Sequence, residues 1–97
     1  VSVEFRNLIE FKDFISQEKV LDRFNIDRIG IFGSFARAEP ANDIDILVSQ
    51  IPLRMASALK QFLESRSKSK FDIVVEEYAN PILLYRAKQD MVYVQRY

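Results

Sequence analysis

Asp43 and Asp45 stand two residues apart in the run DIDILV at 43–48. On a strand that spacing sends both carboxylates to one face, roughly 6.6–7 Å apart at the backbone. Two charges about 7 Å apart repel by about 2.4 kcal/mol at an effective dielectric of 20. A divalent cation reverses the sign of that term, and Mg²⁺, which takes oxygen ligands from one or two carboxylates plus substrate phosphates, suits such a pair. The other reading is a solvated strand start where water and salt screen the repulsion. Upstream, Gly33-Ser34 follows the apolar run RIGIF. A strand ending in glycine and a serine-capped turn offers backbone N–H groups and a hydroxyl to an anion, with no Cβ to keep a phosphate away. An ordinary turn with an N-cap fits the same two residues.

Composition narrows the chemistry further. The 97 residues include no Cys and no His, which excludes disulfides, a thiolate nucleophile, a Cys/His zinc site and an imidazole base. Catalysis would rest on carboxylates, hydroxyls, Lys or Arg. Fourteen basic and fourteen acidic residues leave no net charge to draw the chain to nucleic acid or anionic lipid. The halves differ: residues 1–48 carry six Lys/Arg against nine Asp/Glu, and residues 49–97 carry eight against five. The acidic excess lies on the side of the Asp pair. With no apolar run near the ~20 residues of a membrane span and no signal-like opening, the expectation is one cytoplasmic domain over 1–97, without membrane or nucleic-acid contact.

The elements that must position these residues can be read from periodicity. Asn7 and Ser16 are candidate caps for helices over about 8–15 and 17–24, and one bent helix fits nearly as well. Residues 28–33 read as a buried strand, with a helical turn over Phe35 to Arg37 capped by Ser34. Residues 43–48 form a strand whose Ile44, Ile46 and Val48 face the core. Leu53, Ala56, Leu59, Phe62 and Leu63 sit at helical spacing over 53–65. Residues 70–76 alternate again, Phe71, Ile73 and Val75 on one face and Asp72, Val74 and Glu76 on the other. Asn80-Pro81 opens a helix over about 81–90, and residues 91–94 add an edge strand. The order α-α-β-β-α-β-α implies an α/β (α+β) domain, helices packed on a small mixed sheet. SRSKSK at 65–70 reads as a solvated loop. Tyr85, Tyr93 and Tyr97 read as packing residues that would form a docking patch if exposed together.

Taken together, GSFARAEPANDIDILV at 33–48 resembles the signature of the polymerase-β-type nucleotidyltransferases: Gly-Ser, a loop, then Asp-x-Asp in a hydrophobic strand. It most resembles the minimal nucleotidyltransferase branch, whose members pair with helical HEPN proteins in toxin–antitoxin modules. Gly33, Ser34, Ala36 and Arg37 match that branch's Gly-Ser-x-Ala-Arg segment, and Asp72 in KFDIVVEE occupies the slot of its third acid, so the resemblance covers nearly the whole chain. Two features depart from it. Ala38 stands where the branch usually has Gly, and the loop from Gly-Ser to Asp-x-Asp is eight residues, shorter than in many members.

The resemblance implies transfer of a nucleoside monophosphate, AMP from ATP foremost, onto a hydroxyl of a partner protein. Asp43, Asp45 and Asp72 would be catalytic and would bind two Mg²⁺. Gly33 and Ser34 would hold the phosphates of the NTP, and Arg37 would neutralise charge on them. Arg37 would equally suit a surface ion pair with Glu39, and Asp72 an ion pair with Lys70 or Arg66. The implied partner is an all-helical HEPN-like protein, in a hetero- or homo-oligomer. The alternative is a domain of the same fold that neutralises its partner by binding alone. A transferase acting on small molecules, of the aminoglycoside-modifying kind, would need acceptor-binding structure beyond 97 residues.

Overall fold

The computed structural model describes residues 3–96. Helix α1 (Leu8–Gln17) begins where Asn7 Oδ1 accepts a 2.9 Å hydrogen bond from the Glu10 N–H, and Glu10 reaches back to accept one from the Arg6 N–H at 2.9 Å. This is a reciprocal cap that satisfies donors a helix start leaves open. Ser16 caps nothing: it lies inside α1, and α2 (Val20–Arg23) follows a left-handed Lys19 at φ +52° with no side-chain cap. The chain therefore bends on backbone geometry that a serine-based reading does not anticipate.

Four strands follow, β1 (Arg28–Phe32), β2 (Asp43–Val48), β3 (Lys70–Val75) and β4 (Val92–Gln95), in the spatial order β3-β2-β1-β4. β1 pairs antiparallel with β2 and with β4, while β2 and β3 run parallel. A parallel pair needs a crossover, here helix α4 (Leu53–Arg66). Helix α3 (Gly33–Ala36) is a single turn between β1 and β2, and α5 (Pro81–Lys88) precedes β4. Asn80 caps α5 as its sequence implies, accepting from the Ile82 N–H at 2.7 Å with Pro81 in the first turn. The chain is thus the mixed α/β fold expected, with element ends shifted by one to three residues, most at the start of α2. Among the described residues, no helix is long and apolar enough to cross a membrane.

The larger core lies between one sheet face and α1, α2 and α4. Ile44, Ile46 and Val48 of β2 and Phe71 and Val75 of β3 meet Phe11, Ile15, Leu59 and Leu63 there. Phe5, Phe11, Phe14 and Phe71 form an edge-to-face cluster, with Phe5 5.0 Å from Phe11 and 5.1 Å from Phe14. On the opposite face α5 covers a smaller cluster of Phe32, Leu47 and Ala87. The acid-bearing face is therefore half roofed: its Leu47 end lies under α5, and its Asp43 end is exposed.

The SRSKSK segment is solvent-facing as expected except at Ser67, and only its middle is loop. Its first two residues end α4, and Ser67 is buried, donating to the Leu63 carbonyl at 2.9 Å and bridging to Val3. Tyr85 is 72% exposed, against the expected packing role. Tyr93 is half-buried with the Arg28 guanidinium 4.1 Å above its ring, and Tyr97 lies outside the described residues. Leu59, fully buried on α4, reports on the crossover. Leu59→Ala is expected to cost about 2–5 kcal/mol, read as a lower urea midpoint with an unchanged slope.

Candidate active site

The parallel register places Asp45 directly opposite Asp72, and Asp43 opposite Lys70. Registered partners on neighbouring strands lie about 4.8 Å apart and point to the same side. Asp43, Asp45 and Asp72 therefore share one face, as the alternation implies, with Ile44, Ile46 and Ile73 turned the other way. On its other side Asp45 is paired with Phe32 of β1. Asp43 and Asp72 are exposed, whereas Asp45 is half-buried. Burial pushes the Asp45 carboxyl above its ordinary value, the charges of Asp72 and then Asp43 push it further, and Arg37 pulls it back.

Gly33 lies against the Asp45 side chain. Its φ of +77° is in the left-handed region, and a Cβ built on it would collide with the Asp45 carboxylate. Only glycine meets both conditions without strain. Ser34 is not an N-cap: α3 starts at Gly33, its cap is Phe32, and no side chain bonds the turn. The Ser34 hydroxyl instead faces Arg37, whose Nη2 lies 3.4 Å from Oγ. The Arg37 guanidinium makes the expected ion pair with Glu39, at 3.0 Å, and one the sequence does not suggest, Nη1 to Asp90 Oδ2 at 2.7 Å. These hydrogen bonds, Glu39 first and Asp90 second, raise the already high Arg37 pKa. Asp90 is 53 residues away along the chain, so no local spacing could have found it. Among the described residues Asp72 makes no ion pair, and Arg66 is engaged by Glu18 at 3.0 Å.

Hard oxygen donors on a crowded acidic face suit Mg²⁺. Among the described residues no three carboxylates close into a cage. Mg²⁺ uses one or two carboxylates and completes its shell with water and substrate phosphates, so an open pair fits it.

No protein-family profile matches the chain. Among solved structures, a toxin–antitoxin crystal structure with AMP-PNP superposes with a TM-score of 0.68 at 26% identity, over 89% of this chain and 72% of the other. The complex of a tri-AMPylated Shewanella oneidensis HEPN toxin with its MNT antitoxin superposes at 0.65 and 22% identity, over 89% of this chain and 71% of the other, which shows the fold alone. With these likenesses, the mixed sheet, glycine-opened turn and Asp-x-Asp strand define the class: a nucleotidyltransferase. The protein adenylyltransferase MntA of Thermococcus cleftensis is 30% identical over 83 residues, 80% of this chain and 84% of that one. The chain belongs to this family, the MntA-type protein adenylyltransferases, which is the minimal nucleotidyltransferase branch its signature resembles.

Backbone strain gives two substitutions of opposite sign. Ala38 has φ +60°, a region that costs a residue with a Cβ about 1–2 kcal/mol. Ala38→Gly is expected to raise the melting temperature by a few degrees, since 1 kcal/mol corresponds to about 4–8 °C in a domain of this size. Gly33→Ala is expected to lower it by more, because it adds the collision with Asp45 to the strain. Thermal melts of both variants check this.

The raised Asp45 carboxyl has a definite pH signature. The folded state holds that proton more tightly than the unfolded chain does. Stability is therefore lost as pH rises from the ordinary value of 3.8 through the raised one, and the penalty is fully present at neutral pH. Asp45→Asn should melt at or above the wild-type temperature at pH 7 without metal, with the difference shrinking as pH falls towards 3.8. Melts across a pH series read it.

Proposed function

We propose that this chain transfers AMP from ATP to a hydroxyl of an all-helical HEPN-type partner and so acts as the antitoxin of a toxin–antitoxin pair. The observation that carries the reading is Gly33 packed without a Cβ against Asp45, which the register sets beside Asp72. This arrangement supports reading the turn as the seat of the phosphates and the carboxylates beside it as ligands for metal and acceptors of a proton. The MntA name of the relative and the AMP-modified HEPN toxin in a fold neighbour support the same reaction and the same kind of partner.

In the proposed reaction Gly33 and Ser34 hold the triphosphate, and Arg37 offsets its charge. The acceptor oxygen attacks the α-phosphorus in line, its new P–O bond forming as the bond to the bridging oxygen breaks, and pyrophosphate leaves with that electron pair. The acceptor's proton passes to the Asp72 carboxylate, since the chain has no histidine to take it. Two Mg²⁺, held by Asp43, Asp45 and Asp72, would supply charge neutralisation at the phosphates and acidify the acceptor hydroxyl. With nucleotide and metal filling the acidic cleft, the acceptor must be presented from outside.

A second reading, docking without chemistry, is favoured by one observation: Ala38 holds a left-handed conformation beside Arg37, where strain could shift the turn. One experiment separates the two. The protein is incubated with ATP, Mg²⁺ and its HEPN partner, and both chains are weighed. Wild type is expected to add one or more adenylyl groups to the partner and abolish its toxicity, and Asp43→Asn/Asp45→Asn to do neither. Full neutralisation by that variant with no added mass would establish docking alone. Mg-ATP at about 100 times Kd stabilises by about 2.7 kcal/mol, and this shift should vanish in Asp45→Asn.

A further inference from the structure

Arg37 carries a single positive charge against two carboxylates, and the two differ in how they are held. Glu39 lies in the exposed connection between α3 and β2, where its Oε1 takes both Nε at 3.1 Å and Nη2 at 3.0 Å. Its side chain is 53% exposed. Asp90 is 29% exposed and follows α5 directly. Its backbone N–H bonds the Ala87 carbonyl at 3.3 Å, and Ala87 is buried against Phe32 and Leu47. Asp90 is thus tied to the sheet beneath the site, while Glu39 is tied to a loop.

A guanidinium has five donors in a fixed plane, so a partner on one edge dictates where the others point. The Asp90 contact at Nη1, the shortest of the set, orients the plane so that Nη2 faces the Ser34 hydroxyl. The donors that Glu39 Oε1 occupies, Nε and Nη2, form the edge of the fork that an incoming phosphate can take with two of its oxygens. Releasing Glu39 costs little, because an exposed ion pair gains little over the same two groups in water.

The geometry assigns Asp90 as a positioning residue that holds Arg37 towards the phosphate-binding turn, with Glu39 as the partner that a nucleotide's phosphates displace. This rests on the phosphate role given to Arg37 above and adds the two residues that control it. The two carboxylates, alike in charge and both bonded to Arg37, then affect nucleotide binding in opposite directions.

The test is calorimetric binding of Mg-ATP to the full chain, with steady-state AMP transfer to the HEPN partner as a second readout. Asp90→Asn is expected to weaken Mg-ATP binding about 5- to 10-fold and to raise KM for ATP with a smaller change in kcat. Asp90→Glu should recover part of the loss, and Glu39→Gln should tighten binding. In an Arg37→Ala background, Asp90→Asn should have no further effect, whereas a purely structural role would weaken binding again by the same factor. Unchanged or tighter binding by Asp90→Asn, while Arg37→Ala binds weakly, would overturn the assignment of Asp90 and leave Arg37's role standing. Wild-type affinity in Arg37→Ala would overturn both.

Discussion

The register between β2 and β3 is the constraint on which the rest depends. It sets Asp45 against Asp72, a pairing that like charges on adjacent strands disfavour. What maintains it is the opposite face, where Ile44, Ile46 and Val48 lie level with Phe71, Ile73 and Val75 and pack against α1 and α4. Because side chains alternate with period two, a slip of one residue in β3 would turn Phe71 and Val75 to the acidic side and Asp72 into the core. Burial of those apolar groups is worth about 1.5–3 kcal/mol each, enough to outweigh the repulsion between the acids. The site is thus a local departure from stability held in place by the core behind it.

The same economy of space appears at the turn above the acids. Gly33 permits the close approach of backbone to Asp45, and the buried Phe32, one residue earlier, is registered beside the same acid. One short segment at the end of β1 therefore shapes both the turn and the surroundings of the central acid. Arg37 follows four residues later and is drawn between the turn and the end of α5, so the sheet, the turn and the last helix all meet at one guanidinium.

Most of this was legible where chemistry repeats along the chain. The alternation in DIDILV and KFDIVV gave the faces, Asn80-Pro81 the start of α5, and the apolar spacing from Leu53 to Leu63 the crossover helix. The shared face of Asp43, Asp45 and Asp72 followed from period two alone. Less legible were features fixed by distant partners or by backbone geometry. Lys19 bends the chain in a left-handed conformation that its side chain does not advertise. Ser67 is buried because Val3 pairs beside it, although its neighbours are polar. Ser34 looked like a cap because serine commonly is one, yet Gly33 had already opened the turn. Asp90 reaches Arg37 through the fold.

The sequence distances between the site's parts also bear on how it comes into being. Asp43 and Asp45 lie on β2, and Gly33 and Ser34 open the ten-residue connection that joins it to its antiparallel partner β1, a local closure of modest entropic cost. Asp72 depends on α4 crossing the sheet to bring β3 to its parallel neighbour, and Asp90 on α5 packing on the other face. The contact between Asp45 and Asp72 is thus the one that must be closed across the longer stretch of chain. A chain in which β3 had not joined the sheet would carry Gly33 and the Asp43/Asp45 strand without Asp72, so the crossover through α4 is what completes the acidic cluster.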